Sequence, residues 1–241
     1  MKKTYLTLLA IVVGIGMLIL SSCKLGCEHG SGHQSTETRK VADFTKIDVS
    51  GEFKVNIKQD SSLALTITTD DNLMKYIKTK VSNNKLYIST KDRNICTNGP
   101  IAITIGVRNL SEIASAGGVE IVSQGKLITK DFHFDLSGAT KINMELDAAN
   151  VSTEGSGATE ISLKGQASSH SIDLSGGSKV YAFDFIVGNY NIDLSGASDC
   201  EINVLHSLNV SSSGASSIKY KGNPSSIHND KSGISSITKV N

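Results

Sequence analysis

Four carboxylates, Asp135, Glu154, Asp173 and Asp193, each stand three residues before a glycine, at Gly138, Gly157, Gly176 and Gly196. Asp48 and Asp230 occupy the same offset before Gly51 and Gly233. Oxygen donors recurring at even spacing are the ligand type that calcium takes. An acidic cation site is also half of what a polysaccharide lyase requires, the other half being an Arg or Lys base. Like charges stacked one above another repel, so a cation or neighbouring lysines such as Lys141 and Lys179 must offset them. No dense calcium loop of the nonapeptide type is present, and Arg39, Arg93 and Arg108 all fall outside the repeating part of the chain. The expectation is therefore a solvated acidic face with lysine partners, no metal and no cofactor.

The other chemically capable residues lead the same way. His133 and His228 share an outward position with Ser152, Ser171, Asn191 and Asn209, which describes a polar row and not a general base with an orienting partner. Gly-x-Ser-x-Gly is absent in the strand-to-helix context of a hydrolase elbow. Instead Ser50, Ser137, Ser156, Ser175, Ser195, Ser213 and Ser232 each precede a glycine and read as a stacked structural row. "YAFDFIV" over 181–187 is the densest aromatic stretch in a chain without tryptophan. Tyr181, Phe183 and Phe185 are thus the candidate platform for a sugar ring or a partner, although a corner after Ala182 would turn Phe183 and Phe185 into the core. Cys27, His29 and His33 could suggest a metal cluster, but they lie in "KLGCEHGSGHQSTETRK", which reads as solvated linker.

What positions these residues is a repeat. Gly117, Gly138, Gly157, Gly176, Gly196, Gly214 and Gly233 follow one another at steps of 21, 19, 19, 20, 18 and 19 residues. Four residues after them come Ile121, Ile142, Ile161, Val180, Cys200, Ile218 and Ile237, and apolar residues alternate with period two on both sides. Period two means strand, and a strand pattern at a near-constant long period means stacked coils. The fold class expected is all-β, a parallel β-helix (β-solenoid) with coils of about 19 residues. Ser-Gly is its corner, Leu136, Leu174 and Leu194 point inward, and the acid beside each points out. Gly51 is an outlying member of the series. Between it and Gly117 the period is lost, with strands at "SLALTIT", "KLYIST" and "IAITIGV", a hairpin turn at Asn83-Asn84 and at most a short helix in "DDNLMKYIK". We read 41–241 as one domain with an elaborated amino-terminal end and regular coils from about 111 to 241; a separate small β domain over 41–110 is the alternative.

The first 22 residues stand apart. Lys2 and Lys3 precede an apolar run from Leu6 to Leu20, too short for a spanning helix and shaped as a secretory signal. Ser21 and Ser22 before Cys23 resemble the lipobox of bacterial lipoproteins, which implies that Cys23 carries lipid and that 23–40 is a flexible tether to a membrane. Lys24, where an Asp would signal inner-membrane retention, favours the outer membrane, on either face. Losing Lys2 and Lys3 from 24 basic residues leaves 22 against 23 acids. A near-neutral chain with no basic stripe disfavours nucleic acid as a partner. With Cys23 acylated, Cys27, Cys96 and Cys200 form an odd set; export permits a disulfide, but the pattern is no disulfide scaffold.

"ADFTKIDVSGEFKVNIKQ", "DDNLMKYIKTKV", "KLYIST" and the Ser-Gly-Ala rungs together resemble the head GIN domain family of auto-transporter adhesins, common among Bacteroidetes lipoproteins. The resemblance covers nearly all of the mature chain. It implies a β-helix related in shape to pectin lyases and an adhesin role, and it brings no catalytic residues. The function expected is a lipid-anchored envelope protein that binds a protein or glycan without catalysis, the alternative being a carbohydrate-active enzyme of pectin-lyase shape.

Overall fold

A computed structural model of the chain describes residues 26–90, 95–97 and 99–241. The signal segment 1–22, Cys23 and Arg93 lie outside the described residues. Alternating apolar residues become strand stacked on strand. The segments Lys46–Gln59, Glu112–Gly138, Lys141–Gly157, Glu160–Gly176, Lys179–Gly196 and Asp199–Gly214 pair in parallel, each with the next. Ser217–Lys221 and Ser226–Lys231 lie on the last of these, and Ser236–Lys239 on Ser217–Lys221. The result is a β-solenoid of about 6 turns with coils of about 19 residues. Among the described residues there is no α-helix, and the short helix expected near residue 74 is a 3-10 turn at Met74–Tyr76.

The corner shows why glycine recurs. Gly176 has φ +93°, and a Cβ there would stand 2.5 Å from the carbonyl oxygen of Gly157. That carbonyl accepts the Gly177 N–H at 2.9 Å, and the Gly176 carbonyl in turn accepts the Ala197 N–H at 2.8 Å. A side chain would demand both an unfavourable φ and the space of the hydrogen bond. Just before the corner Leu136, Leu174 and Leu194 are buried. Gly155 takes the leucine position in the coil between Leu136 and Leu174, where a Cβ would come within 2.5 Å of Leu174 Cδ2, so its absence makes room for the neighbouring leucine.

Gly51 belongs to the stack, since it is in register with Gly117. The period fails between them because the chain leaves the stack to cover its own end. Lys85–Thr90 lies along the first half of Lys46–Gln59 and Ile101–Val107 along the second. Ala64–Asp70 then pairs antiparallel with Ile101–Val107, and Ile77–Ser82 with Lys85–Thr90 through the Asn83-Asn84 turn, both of whose asparagines have positive φ. One apolar cluster runs from Phe44 to Ile218.

Residues 23–40 are not a tether throughout. Gln34–Lys40 pairs antiparallel with Ala64–Asp70 over seven residues, Glu28–His29 pairs with Ile95–Cys96, and Cys27 is disulfide-bonded to Cys96. Gln34–Lys40 is an edge strand with mostly exposed side chains, so it has no apolar period to betray it. Composition alone makes such a strand look like linker.

Buried polar groups complete the core. Thr140, Thr159, Ser178, Ser198 and Ser216, each two residues past a glycine, form an inward row. Within it Thr159 donates to Ser178 at 2.8 Å, and Thr140 shares a 2.9 Å hydrogen bond with Ser115. His170 is buried with Nε2 hydrogen-bonded to Thr153 Oγ1 at 2.9 Å, while Nδ1 has no partner. Burial pushes its pKa down to about 3. Burial likewise pushes the Cys200 thiol up to about 12, leaving it protonated and inert at neutral pH.

Two outcomes are expected in urea unfolding. Leu174→Asp places an unpaired charge in the core and costs several kcal/mol, whereas Ser175→Ala, losing one long hydrogen bond to the Gly155 carbonyl, costs about 1 kcal/mol or less. Equal costs would mean that the inward and outward rows are misassigned. His170 gains a proton on unfolding at any pH between its folded value near 3 and an unfolded value of about 6.5. Its contribution is complete above the upper value and is lost as pH falls through that window, at up to about 1.4 kcal/mol per pH unit. His170→Val should flatten the stability profile between pH 6 and 5 by that slope, and an unchanged slope would contradict a neutral buried imidazole.

Candidate functional site

Side chains in equivalent positions of successive coils form rows, and two rows facing solvent bound a groove of about 650 Å³ along one flank. One row is Asp131, Asn150, Ser169, Asn189 and Ser207. The other is His133, Ser152, Ser171, Asn191 and Asn209, continued by His228. This second row is the polar row expected from the sequence. The first has the same period two residues earlier and is readable in retrospect, but strand alternation does not reveal that the surface between them is concave. The buried residues Phe132, Val151, His170 and Tyr190 underlie the groove.

The first row is held by its own hydrogen bonds. Asn150 Nδ2 donates to Asp131 Oδ1, Ser169 Oγ to Asn150 Oδ1 and Ser207 Oγ to Asn189 Oδ1, all at 2.8 Å. In the second row His133 Nδ1 and Ser152 Oγ are 2.9 Å apart. That pair resembles half of a hydrolase dyad, but Asp131, two residues away, directs Oδ1 at the Asn150 amide. From Asn150 and Ser152 onward the chemistry offered is neutral donors and acceptors, recurring once per coil at about 4.8 Å, with the Asp131 carboxylate at one end. At one end Lys46 and Glu112 line the groove. Burial works against the charge on Glu112, but hydrogen bonds from Lys46 at 2.7 Å and Lys85 at 2.6 Å outweigh it and hold the carboxyl below its usual range.

Beside the groove, past the corner residues Ala149, Ser168 and Gly188, exposed aliphatic side chains alternate with polar ones. Ile128 is 63% exposed, Ile186 44% and Leu205 47%, around Ala148 and Ala167 in a hollow of about 550 Å³. Gln59 pins Ile128 in place: its Oε1 accepts the Ile128 N–H at 2.7 Å and its Nε2 donates to the Ile128 carbonyl at 3.0 Å. A side-chain amide thus replaces a missing strand partner and presents an isoleucine to water. Asp147 and Gln166 stand between Ile128 and Ile186 in the same row, so the hollow is of mixed polarity, with aliphatic groups at intervals beside a polar groove.

The aromatic candidates divide. Phe185 is core, Tyr181 is 40% exposed, and Phe183 is half-buried with the Lys221 ammonium 4.8 Å above its ring. The expectation that Phe183 turns inward fails because the corner falls at Phe183-Asp184, one residue later than assumed, so that Phe183 keeps the outward alternation of Tyr181 and only Phe185 re-enters the core.

The acids Asp135, Glu154, Asp173 and Asp193 do stand in register on four consecutive coils, all exposed. Of the expected lysine partners, Lys141 bonds Glu160 at 2.8 Å, and Lys179 is in register with Glu160 and not with an acid of this row. Among the described residues, the side chains close enough to share one ion are Cys27, His29 and Cys96, of which both cysteines are in the disulfide; His33 is not in this group.

Residues 43–224, more than half of the chain, match the family described as "Putative auto-transporter adhesin, head GIN domain". No curated protein matches the sequence. The fold is similar to that of a "putative adhesin" from Bacteroides fragilis, at TM-score 0.84 and 23% identity over 88% of this chain and 99% of that one. It is also similar to a "putative adhesin" from Parabacteroides merdae, at 0.70 and 19% over 88% and 98%. A "putative lipid binding protein" from Parabacteroides distasonis aligns at 0.69 and 21% over 88% and 99%.

A row spread one carboxylate per coil is a poor cage for calcium, which takes six to eight oxygens. Millimolar calcium should leave the melting temperature of the protein unchanged, because a ligand stabilises only by preferring the folded state. A rise that Asp173→Asn abolishes would make the row a cation site.

Proposed function

Since the chain belongs to the head GIN domain family of auto-transporter adhesins, we propose that it is a lipid-anchored binding protein of the bacterial cell envelope, non-catalytic, whose ligand is a glycan chain lying along the groove. The observation that carries this reading is the groove itself, walled mainly by Ser and Asn side chains that recur from coil to coil, with the charged Asp131, Lys46 and Glu112 towards one end and exposed aliphatic groups, Ile128, Ile186 and Leu205, on its flank. Repeating hydroxyl groups match repeating neutral donors and acceptors, and the C–H faces of sugar rings match those aliphatic groups. The anchor is the acylated Cys23. Among the described residues no helix is long and apolar enough to cross a membrane; the attachment in this reading is the lipid, at the outer membrane.

The test is a screen of the soluble domain, residues 26–241, against glycans and matrix proteins. A glycan ligand should lose roughly tenfold affinity in Asn191→Ala combined with Asn209→Ala, the equivalent of two neutral hydrogen bonds, with an unchanged melting temperature. Undiminished binding in that variant, or a matrix protein as the only ligand retained, would refute the groove as a glycan site. Cleavage of a polysaccharide to unsaturated ends would replace the reading with the lyase.

A further inference from the structure

The disulfide and the strands around it shorten the link between Cys23 and the solenoid, and from this we infer that the covered, amino-terminal end of the solenoid rests on the phospholipid headgroups of the membrane that holds the anchor. The inference depends on the lipid anchor proposed above. Cys27 is joined to Cys96, 69 residues away in sequence, and the Gly30 N–H donates to the Cys96 carbonyl at 3.0 Å. The Asn72 side chain brackets the next residues: Nδ2 donates to the His29 carbonyl at 2.8 Å, and Oδ1 accepts the Ser31 N–H at 2.9 Å. Asp70 Oδ1 accepts the Gly32 N–H at 3.1 Å, and the Asp71 N–H donates to the His33 carbonyl at 2.9 Å. Gln34–Lys40 follows as a paired strand. From Cys27 onward the chain is part of the folded body.

Lys24, Leu25 and Gly26 are all that separates Cys27 from Cys23. Fully extended, that link spans no more than about 14 Å, less than the radius of gyration of about 16 Å expected for a compact body of roughly 200 residues. A body on so short a link keeps the surface around Cys27 within about 14 Å of the bilayer. The part held nearest is the end where Asp70, Asp71 and Asn72 bind residues 29–33 beside the disulfide, with the Met74–Tyr76 turn following directly in the chain. Lys75 and Lys78 are exposed there, and cationic side chains suit an anionic headgroup surface.

The chain has no tryptophan, so a single introduced one reports its own surroundings. The acylated full chain would be placed in vesicles of phosphatidylethanolamine and phosphatidylglycerol, part of the lipid carrying a nitroxide on its headgroup. Tyr76→Trp should be quenched several-fold more than Tyr181→Trp, which sits on a distant coil. A flexible Gly/Ser spacer inserted after Gly26, which leaves the fold intact, should abolish the difference, and Lys75→Glu with Lys78→Glu should reduce it. Equal quenching of the two tryptophans, or quenching that the spacer leaves unchanged, would overturn the contact, and indifference to the charge reversal would overturn the role of the lysines. Loss of the anchor reading has a separate signature: no acyl label on the wild-type chain, or a Cys23→Ala chain that still floats with the vesicles.

Discussion

One hydrogen bond, repeated, governs this molecule. The carbonyl of each corner glycine accepts the N–H just past the next glycine, as at Gly157 to Gly177 and Gly196 to Ala215. The bond fixes the register of one coil on another, and register in a parallel stack decides everything outside it. If Gly176 sits over Gly157, then Leu174 must lie over Gly155, Ile172 over Thr153 and Ser171 over Ser152. A slip of one residue would exchange every inward side chain for an outward one.

The same register turns single residues into rows, and rows have properties that residues lack. Opposite charges in neighbouring coils meet as Lys126 with Asp147, Lys219 with Glu201 and Lys54 with Glu120. Exposed pairs of this kind add little stability, but they form only in the native register and so favour it. The rows beside the groove are rich in Ser and Asn, and there too neighbouring coils hydrogen-bond one another, as Asn150 does with Asp131 and Ser207 with Asn189.

The regular coils were legible because one side chain, glycine, marks the same corner each time and an isoleucine or valine follows at a fixed offset. From these alone came the coil length, the inward leucines and the outward row from His133 to His228. Less legible was whatever lacked a period. The amino-terminal cover breaks the repeat by design, and Gln34–Lys40, exposed along most of its length, carries no apolar signal. Nothing in the spacing of Cys27 and Cys96 pointed to their pairing, since the contact joins segments 69 residues apart. The groove needed three dimensions: both its rows are periodic, but concavity is a property of the angle between strands. Gln59, whose amide holds Ile128 as a strand would, could not be told from any other polar residue at a strand end.

The two ends of the solenoid are unlike. One is closed by antiparallel strands and the Cys27–Cys96 link; at the other, Ser226–Lys231 is exposed throughout and Ile234 is 87% exposed. Between them each coil is a module that repeats both the fold and one rung of the groove. A duplication or loss of one such module, inserted in register, would lengthen or shorten the groove by about 4.8 Å and leave the closed end untouched. The length of the flank can therefore vary as a ruler does, by counting modules, without redesigning any contact.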